Sequence, residues 1–384
     1  MRAKDDHTPA IGPNLEESRV ESDLPLSGVR ILDLTSLLPG PFAGQMLVDL
    51  GAIVVKVERP GGDPMRHLGA GTFSVVNRGK HSIELDLRDE ADRVLAVELA
   101  SEADVLLENG RPGATAKFGL GFEALKELNP RLVYLSLSGW GQSGPAAGEP
   151  GHNANYLSRA GGTWLTGGPG TPPSDAVPVA QADIGAALYG VIGVLAALRE
   201  PRQARHLDVS LFATGHALLA PRYGEYVDKG MPGRDELLRR PAHGVFEAGD
   251  GECLTIAAVE DQFWCALCKL IGRPDLAARE DLSDYAERCR RADEIDAAVA
   301  RAFRTRPRDA WLALLREHDI PAAPVLRPEE AVLDPQAQHL GIQPDWPVVR
   351  AFLPIAGLPR VAGGEPVERD SAGGKIRATR WAEL

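Results

Sequence analysis

The sequence predicts an α/β protein with a doubly wound, mostly parallel sheet and a second, smaller α+β domain. Three observations predict it. Short apolar runs alternate with helix-length segments from Gly28 to Leu137. That rhythm stops near Lys229, where charge rises. A hairpin signal and a run of helical segments follow. Strands alternating with helices specify parallel pairing, because each crossover helix carries the chain back to the same end of the sheet.

The elements follow in order. Val29 to Leu34 is a short strand, and Pro39-Gly40-Pro41 turns the chain. Phe42 to Leu50 has helical spacing, with Phe42, Met46, Leu47 and Leu50 on one face. Gly51 caps it, Ile53 to Val57 is the next strand, and a Gly-Pro-rich loop runs from Arg59 to Pro64. Strand Ile83–Leu85, helix Asp89–Glu102, strand Val105–Leu107, helix Phe122–Leu128 and strand Leu132–Leu137 complete a Rossmann-like sheet. Ligands of such sheets sit at the carboxyl ends of the strands. Gly139 to Pro150 is a long loop, Asn155 to Gly161 is helical, and Ile184 to Arg199 is a strongly apolar helix. Its small residues, Gly185, Ala186, Ala187, Gly190 and Gly193 among them, suit close packing. Asp250-Gly251 joins Gly244–Glu247 to Leu254–Ala257 as a hairpin. Helical segments extend to about His318, Pro321 to Leu326 marks a return crossing, and Ile355 to Val367 is loop and short strand. The expected organisation is a disordered extension at 1–24, a large domain at 25–225 and 327–384, and a small domain at 226–326.

A formal net charge of -12 argues against nucleic acid or an anionic membrane as the main partner. It leaves room for a small anionic ligand on a local basic patch. Four scattered cysteines imply no disulfide framework. Cys265 and Cys268 read as buried or half-buried thiols, since a zinc site needs two further ligands nearby. No stretch approaches the ~18 apolar residues of a membrane span. The polar opening segment has no signal-peptide apolar region, so a cytoplasmic location is expected.

Three ionisable residues stand in distinctive phrases: His152 in Pro150–Tyr156, Asp183 in Gln181–Gly185, and Glu260 in Ala258–Phe263. Asp183 reads first as a helix N-cap, accepting a backbone N–H. The positive potential there also favours a carboxylate beside a reacting centre. His152 sits at a loop-to-helix boundary, where imidazole could close the turn or exchange protons near neutral pH. Glu260, after a strand, reads as a solvated first-turn charge or as a carboxylate orienting His152. Arg59, Arg78, Lys80, Asn109 and Arg111 fall at predicted strand ends or in adjacent loops and suggest a basic rim for phosphates. The first strand is followed by neither a Walker pattern nor G-x-G-x-x-G, which argues against the usual nicotinamide and ATP sites.

Six phrases in order resemble family III CoA-transferases, the CaiB/BaiF group that includes α-methylacyl-CoA racemase. They are Leu26–Leu34, Asp49–Ala52, Lys56–Pro60, Asn77–Lys80, Glu108–Gly113 and Gly139–Pro145. The resemblance implies a CoA thioester substrate, no metal and no organic prosthetic group. It implies an interlocked homodimer with active sites between the large domain of one subunit and the small domain of its partner. It places the CoA nucleotide on the basic residues above. In transferases of the family the residue matching Asp183 is the nucleophile and passes through aspartyl–CoA. In the racemase the matching Asp works with a His on the opposite face of the α-carbon, and a Glu pairs with that His. The chain departs from the racemase phrase at Asn153, where that phrase has Asp, and at Arg239–His243. It also lacks the glycine run of some transferases.

His152, Asp183 and Glu260 together favour 1,1-proton transfer on a 2-methylacyl-CoA. The alternative is CoA transfer between carboxylic acids with Asp183 as covalent nucleophile. A third reading, from another class, is a CoA-binding protein without turnover.

Overall fold

The structure, a computed structural model, describes residues 24–175, 178–200, 203–340, 343–345, 348–350, 355 and 366–384. The polar opening segment expected to be disordered, and most of the expected Ile355–Val367 loop and strand, lie outside the described residues.

Six strands form the main sheet: β1 (Arg30–Asp33), β2 (Ile53–Glu58), β3 (His81–Glu84), β4 (Val105–Glu108), β5 (Val133–Ser138) and β6 (Arg205–Ser210). Their order is β3-β2-β1-β4-β5-β6. The β1–β2, β2–β3, β1–β4 and β4–β5 pairs are parallel. The order reverses between β1 and β4, the switch point at which a doubly wound sheet opens a crevice. Strands covered on both faces read as near-continuous apolar runs. Hence β4 and β5 are buried at every position. Leu32, Val55, Ile83, Leu99, Leu106 and Tyr134 share one core with Ile376 and Trp381 from the C-terminal end.

The predicted hairpin is present. β7 (His243–Glu247) and β8 (Cys253–Ala257) pair antiparallel, and Gly251 at φ +82° makes the turn. The Pro321–Leu326 segment differs from a simple return crossing. Its Ala322–Pro324 portion is β9, the third strand of this sheet, paired antiparallel with β8. Trp264, Leu267, Ile295, Phe303 and Trp311 form the core beside it. A two-stranded ribbon, β10 (Gln343–Asp345) and β11 (Val348–Arg350), follows.

Packing groups the described residues into two compact units. One takes those up to Leu137, Gly190–Asp208 and the C-terminal helix Gly373–Thr379. The other takes Ser138–Tyr189 and Val209–Arg350.

The apolar helix is Gln181–Arg199. By length and composition it could cross a membrane, with mean hydropathy 1.6, which corrects the expectation that no stretch is long enough. Its small residues do what the sequence assigned to them. A Cβ on Gly190 would lie 2.9 Å from Leu135 Cδ2, so only glycine lets the helix approach β5 this closely.

Candidate active site

The segment carrying His152 is held by aromatic packing. Tyr156 Oη donates to the Gly151 carbonyl at 2.6 Å, and Trp140 meets the Tyr156 ring edge-on at 4.9 Å. The Arg159 guanidinium lies over Trp140 at 4.8 Å. A Cβ on Gly139 or Gly151 would come within 2.4 Å or 2.6 Å of Tyr156. The long glycine-rich loop is therefore folded tightly against this ring. His152 then enters the Asn153–Arg159 helix with extended backbone. Its amide donates to Asn155 Oδ1 at 2.9 Å, and Asn155 N donates to the His152 carbonyl at 2.8 Å. The His152 side chain is exposed.

Asp183 lies within the first turn of its helix, which begins at Gln181. It is not the N-cap that the sequence suggested. The backbone N–H of Ala182 donates instead to Asn153 Oδ1, at 2.9 Å. The Asp183 carboxyl is thus left free of capping duty. Burial pushes its pKa up from 3.8 to about 6, and the nearby His152 pulls it partly back. A carboxylate that titrates near 6 is more basic than an ordinary aspartate yet mostly ionised at neutral pH. That suits either attack on a carbonyl or removal of an acidic α-proton.

Glu260 precedes the Asp261–Leu270 helix and is exposed. Among the described residues it has no hydrogen bond or ion pair to His152. Its neighbours are pinned by Arg288, a nearly fully buried arginine. Arg288 Nη2 donates to Val259 O at 3.0 Å and to Asp261 Oδ1 at 2.7 Å. Sequence reading missed Arg288 because it sits in an arginine-rich run that looks solvated.

The expected basic rim divides in two. Arg59 is exposed at the end of β2 and borders a cavity of about 320 Å³ with Gly62, His67, Asp86 and Arg88. Arg111 is also exposed. Asn109 ties the end of β4 to the loop after β1, donating to Ser36 O at 2.7 Å and accepting from Ser36 N at 3.0 Å. Glu108 steadies the loop after β4 by accepting from Gly110 N at 2.9 Å. Arg78 and Lys80, in contrast, lie inside the protein. Arg78 holds Asp49 bidentately at 2.7 Å and 2.9 Å. Lys80 Nζ donates to Asp33 Oδ2, Pro41 O and Asn77 Oδ1, each at 2.9 Å. Burial lowers the Lys80 pKa to about 8, against the opposing pull of Asp33. Burial presses the Asp33 carboxyl upward, but Lys80 and Lys56 outweigh it and hold it below the usual range. The reason for the difference is charge pairing. Each buried carboxylate needs its own cation, so these two side chains neutralise Asp49 and Asp33 instead of facing a ligand.

Known proteins bear on this arrangement. The sequence pattern that defines CoA-transferase family III matches residues 26–372. The chain is 35% identical over 325 residues to the acetyl-CoA:oxalate CoA-transferase of Acetobacter aceti, covering 81% of this chain and 83% of the relative. It is 34% identical to the succinate–glutarate CoA-transferase of Agrobacterium fabrum, covering 84% and 85%. Its fold superposes on a CAIB/BAIF family protein from Brucella suis with a TM-score of 0.82 at 32% identity, covering 93% of this chain and 99% of that one.

Proposed function

The chain belongs to CoA-transferase family III and is an enzyme of that family; on that premise we propose that it moves CoA between two carboxylic acids through Asp183. The observation that carries the reading is a carboxyl that is raised to about 6, sits at a helix N-terminus and has no capping duty. The relatives named as acting on oxalate and glutarate support transfer over racemisation.

The chemistry closes without an external reductant or oxidant. The Asp183 carboxylate attacks the donor thioester carbonyl and CoA thiolate leaves, giving a mixed anhydride. The thiolate attacks the Asp183 carbonyl of that anhydride, releasing the donor acid and leaving aspartyl-CoA. The acceptor carboxylate attacks this thioester, CoA thiolate leaves again, and a second mixed anhydride forms. Thiolate attack on the acceptor's acyl carbon yields the new thioester and frees Asp183. N–H groups of the helix's first turn favour negative charge throughout. The CoA nucleotide is assigned to Arg59, Asn109 and Arg111, with Arg78 and Lys80 supporting the loops from within. In the division proposed from the sequence, 25–225 with 327–384 binds CoA and 226–326 is the small domain. The active form is proposed as an interlocked homodimer in the cytoplasm, in which Glu260 faces the site of the partner.

One observation favours a second reading, 1,1-proton transfer on a 2-methylacyl-CoA. His152 lies within electrostatic reach of Asp183, as an opposed acid and base would require. A single experiment separates the two. The protein is incubated in D₂O with (2R)- or (2S)-2-methylacyl-CoA, and separately with acetyl-CoA or succinyl-CoA plus oxalate, malate or glutarate. Transfer to an acid, a CoA adduct on Asp183 and retention of adduct formation in His152→Ala establish the transferase. Deuterium at Cα without any acceptor acid, lost in His152→Ala, establishes the racemase.

A further inference from the structure

The structure assigns a further role: we propose that Asn153 is a positioning residue whose side-chain amide fixes the first turn of the Gln181–Arg199 helix, and with it the Asp183 carboxyl, beside His152. The proposal rests on the reading of Asp183 as the reacting group.

The first N–H groups of any helix lack an intrahelical partner. The residue before a helix normally supplies an acceptor to the N–H of its second or third residue. Here that residue is Ala180, whose methyl group accepts nothing. The second residue of the helix is Ala182, which is fully buried, so solvent does not serve its N–H. Asn153 Oδ1 does, from 29 residues away in the chain at 2.9 Å.

Asn153 is itself well placed. It follows His152 directly, and the His152 amide and carbonyl are both bonded to Asn155. One side-chain amide therefore couples the segment carrying His152 to the turn carrying Asp183. Further along the helix, a Cβ on Gly185 would come within 2.8 Å of Thr214 and of Leu218. The body of the helix is thus clamped sideways, and its exposed freedom is fraying of the first turn, which the cap opposes. An amide also suits the site better than a carboxylate. It accepts the Ala182 N–H without placing a second negative charge next to Asp183.

The test uses the full chain and three variants. Deuterium uptake is followed at the Ala182 and Asp183 amides, alongside kcat, KM and the single-turnover rate of CoA attachment to Asp183 from acetyl-CoA or succinyl-CoA. Asn153→Ala is expected to lower kcat and the attachment rate about tenfold, keep KM within about twofold, and expose the Ala182 amide to exchange. Asn153→Asp keeps the acceptor and is expected to keep the amide protected. Asp89→Ala is the stability control. It removes the cap of the distant Glu90–Glu102 helix, where Asp89 accepts from Asp92 N at 3.1 Å. It is expected to cost similar thermal stability and leave kcat unchanged. Wild-type kcat and protection in Asn153→Ala would overturn the proposal, as would an equal kcat loss in Asp89→Ala or a kcat loss with unchanged exchange. If Asn153→Ala does not fold, Asn153→Asp decides, since loss of amide protection there contradicts the capping role. The exchange arm needs no turnover. Failure of CoA attachment in the wild type therefore counts against Asp183 as nucleophile and not against the cap.

Discussion

At the residue scale the decisive group is Asp183. Its pKa is raised from 3.8 to about 6 in the folded chain. Activity that needs the ionised carboxylate is therefore expected to fall as pH drops through about 6, visible as the acidic limb of a kcat/KM profile. The same shift has a stability consequence of opposite sense. Folding favours the protonated form, so its contribution is full below about 4 and is lost as pH rises through about 6. Asp183→Asn is expected to abolish turnover by roughly a thousandfold or more. It is also expected to stabilise the protein at pH 8 by on the order of 1 kcal/mol, with the difference closing near pH 4 in denaturant titrations. A carboxyl with an ordinary pKa would show no such crossover.

At the element scale, what could be read in the sequence follows from how each element is buried. β4 and β5, covered on both faces, were legible as apolar runs. β6 was not, because Arg-His-Leu-Asp-Val-Ser alternates in polarity, exposes His206 and Asp208 and fully buries none of its residues. The following helix, Leu211–Asp228, was obscured by Pro221 and by Gly215 and Gly224 within it. The strand ends show the same limit. Arg59 and Arg111 lie exposed, whereas Arg78 and Lys80 turn inward to partners 29 and 47 residues away that no local pattern reveals. Two predictions separate these classes. Arg59→Ala and Arg111→Ala are expected to raise KM for the CoA thioester about tenfold with kcat and thermal stability preserved. Lys80→Met removes the cation bonded directly to the buried Asp33, and is expected to cost about 3–5 kcal/mol in urea unfolding. A KM effect of Lys80→Met without loss of stability would return that side chain to the ligand.

At the scale of the whole molecule, the proposed dimer would have a second chain complete the site. The Asn153 side chain bonds the segment after His152 to the turn carrying Asp183, while Glu260 stands exposed on a turn braced by the buried Arg288. Leu188, Tyr189 and Ile192 remain exposed on the apolar helix. Light scattering on the purified protein is expected to give twice the chain mass, and a monomer that turns over at the full rate would exclude the proposed dimer. The buried cations carry one further consequence. An enzyme that acts on CoA thioesters exposes its own surface to acylating reagents, and amines are their natural victims. Guanidinium groups are far less easily acylated than amines, and most of the cationic side chains here are arginines. Lys56 and Lys80 are buried and paired with Asp63 and Asp33. Mass mapping after exposure to acetyl-CoA should find exposed Lys117 and Lys375 modified and these two untouched, so that the catalyst is spared damage by its own substrate.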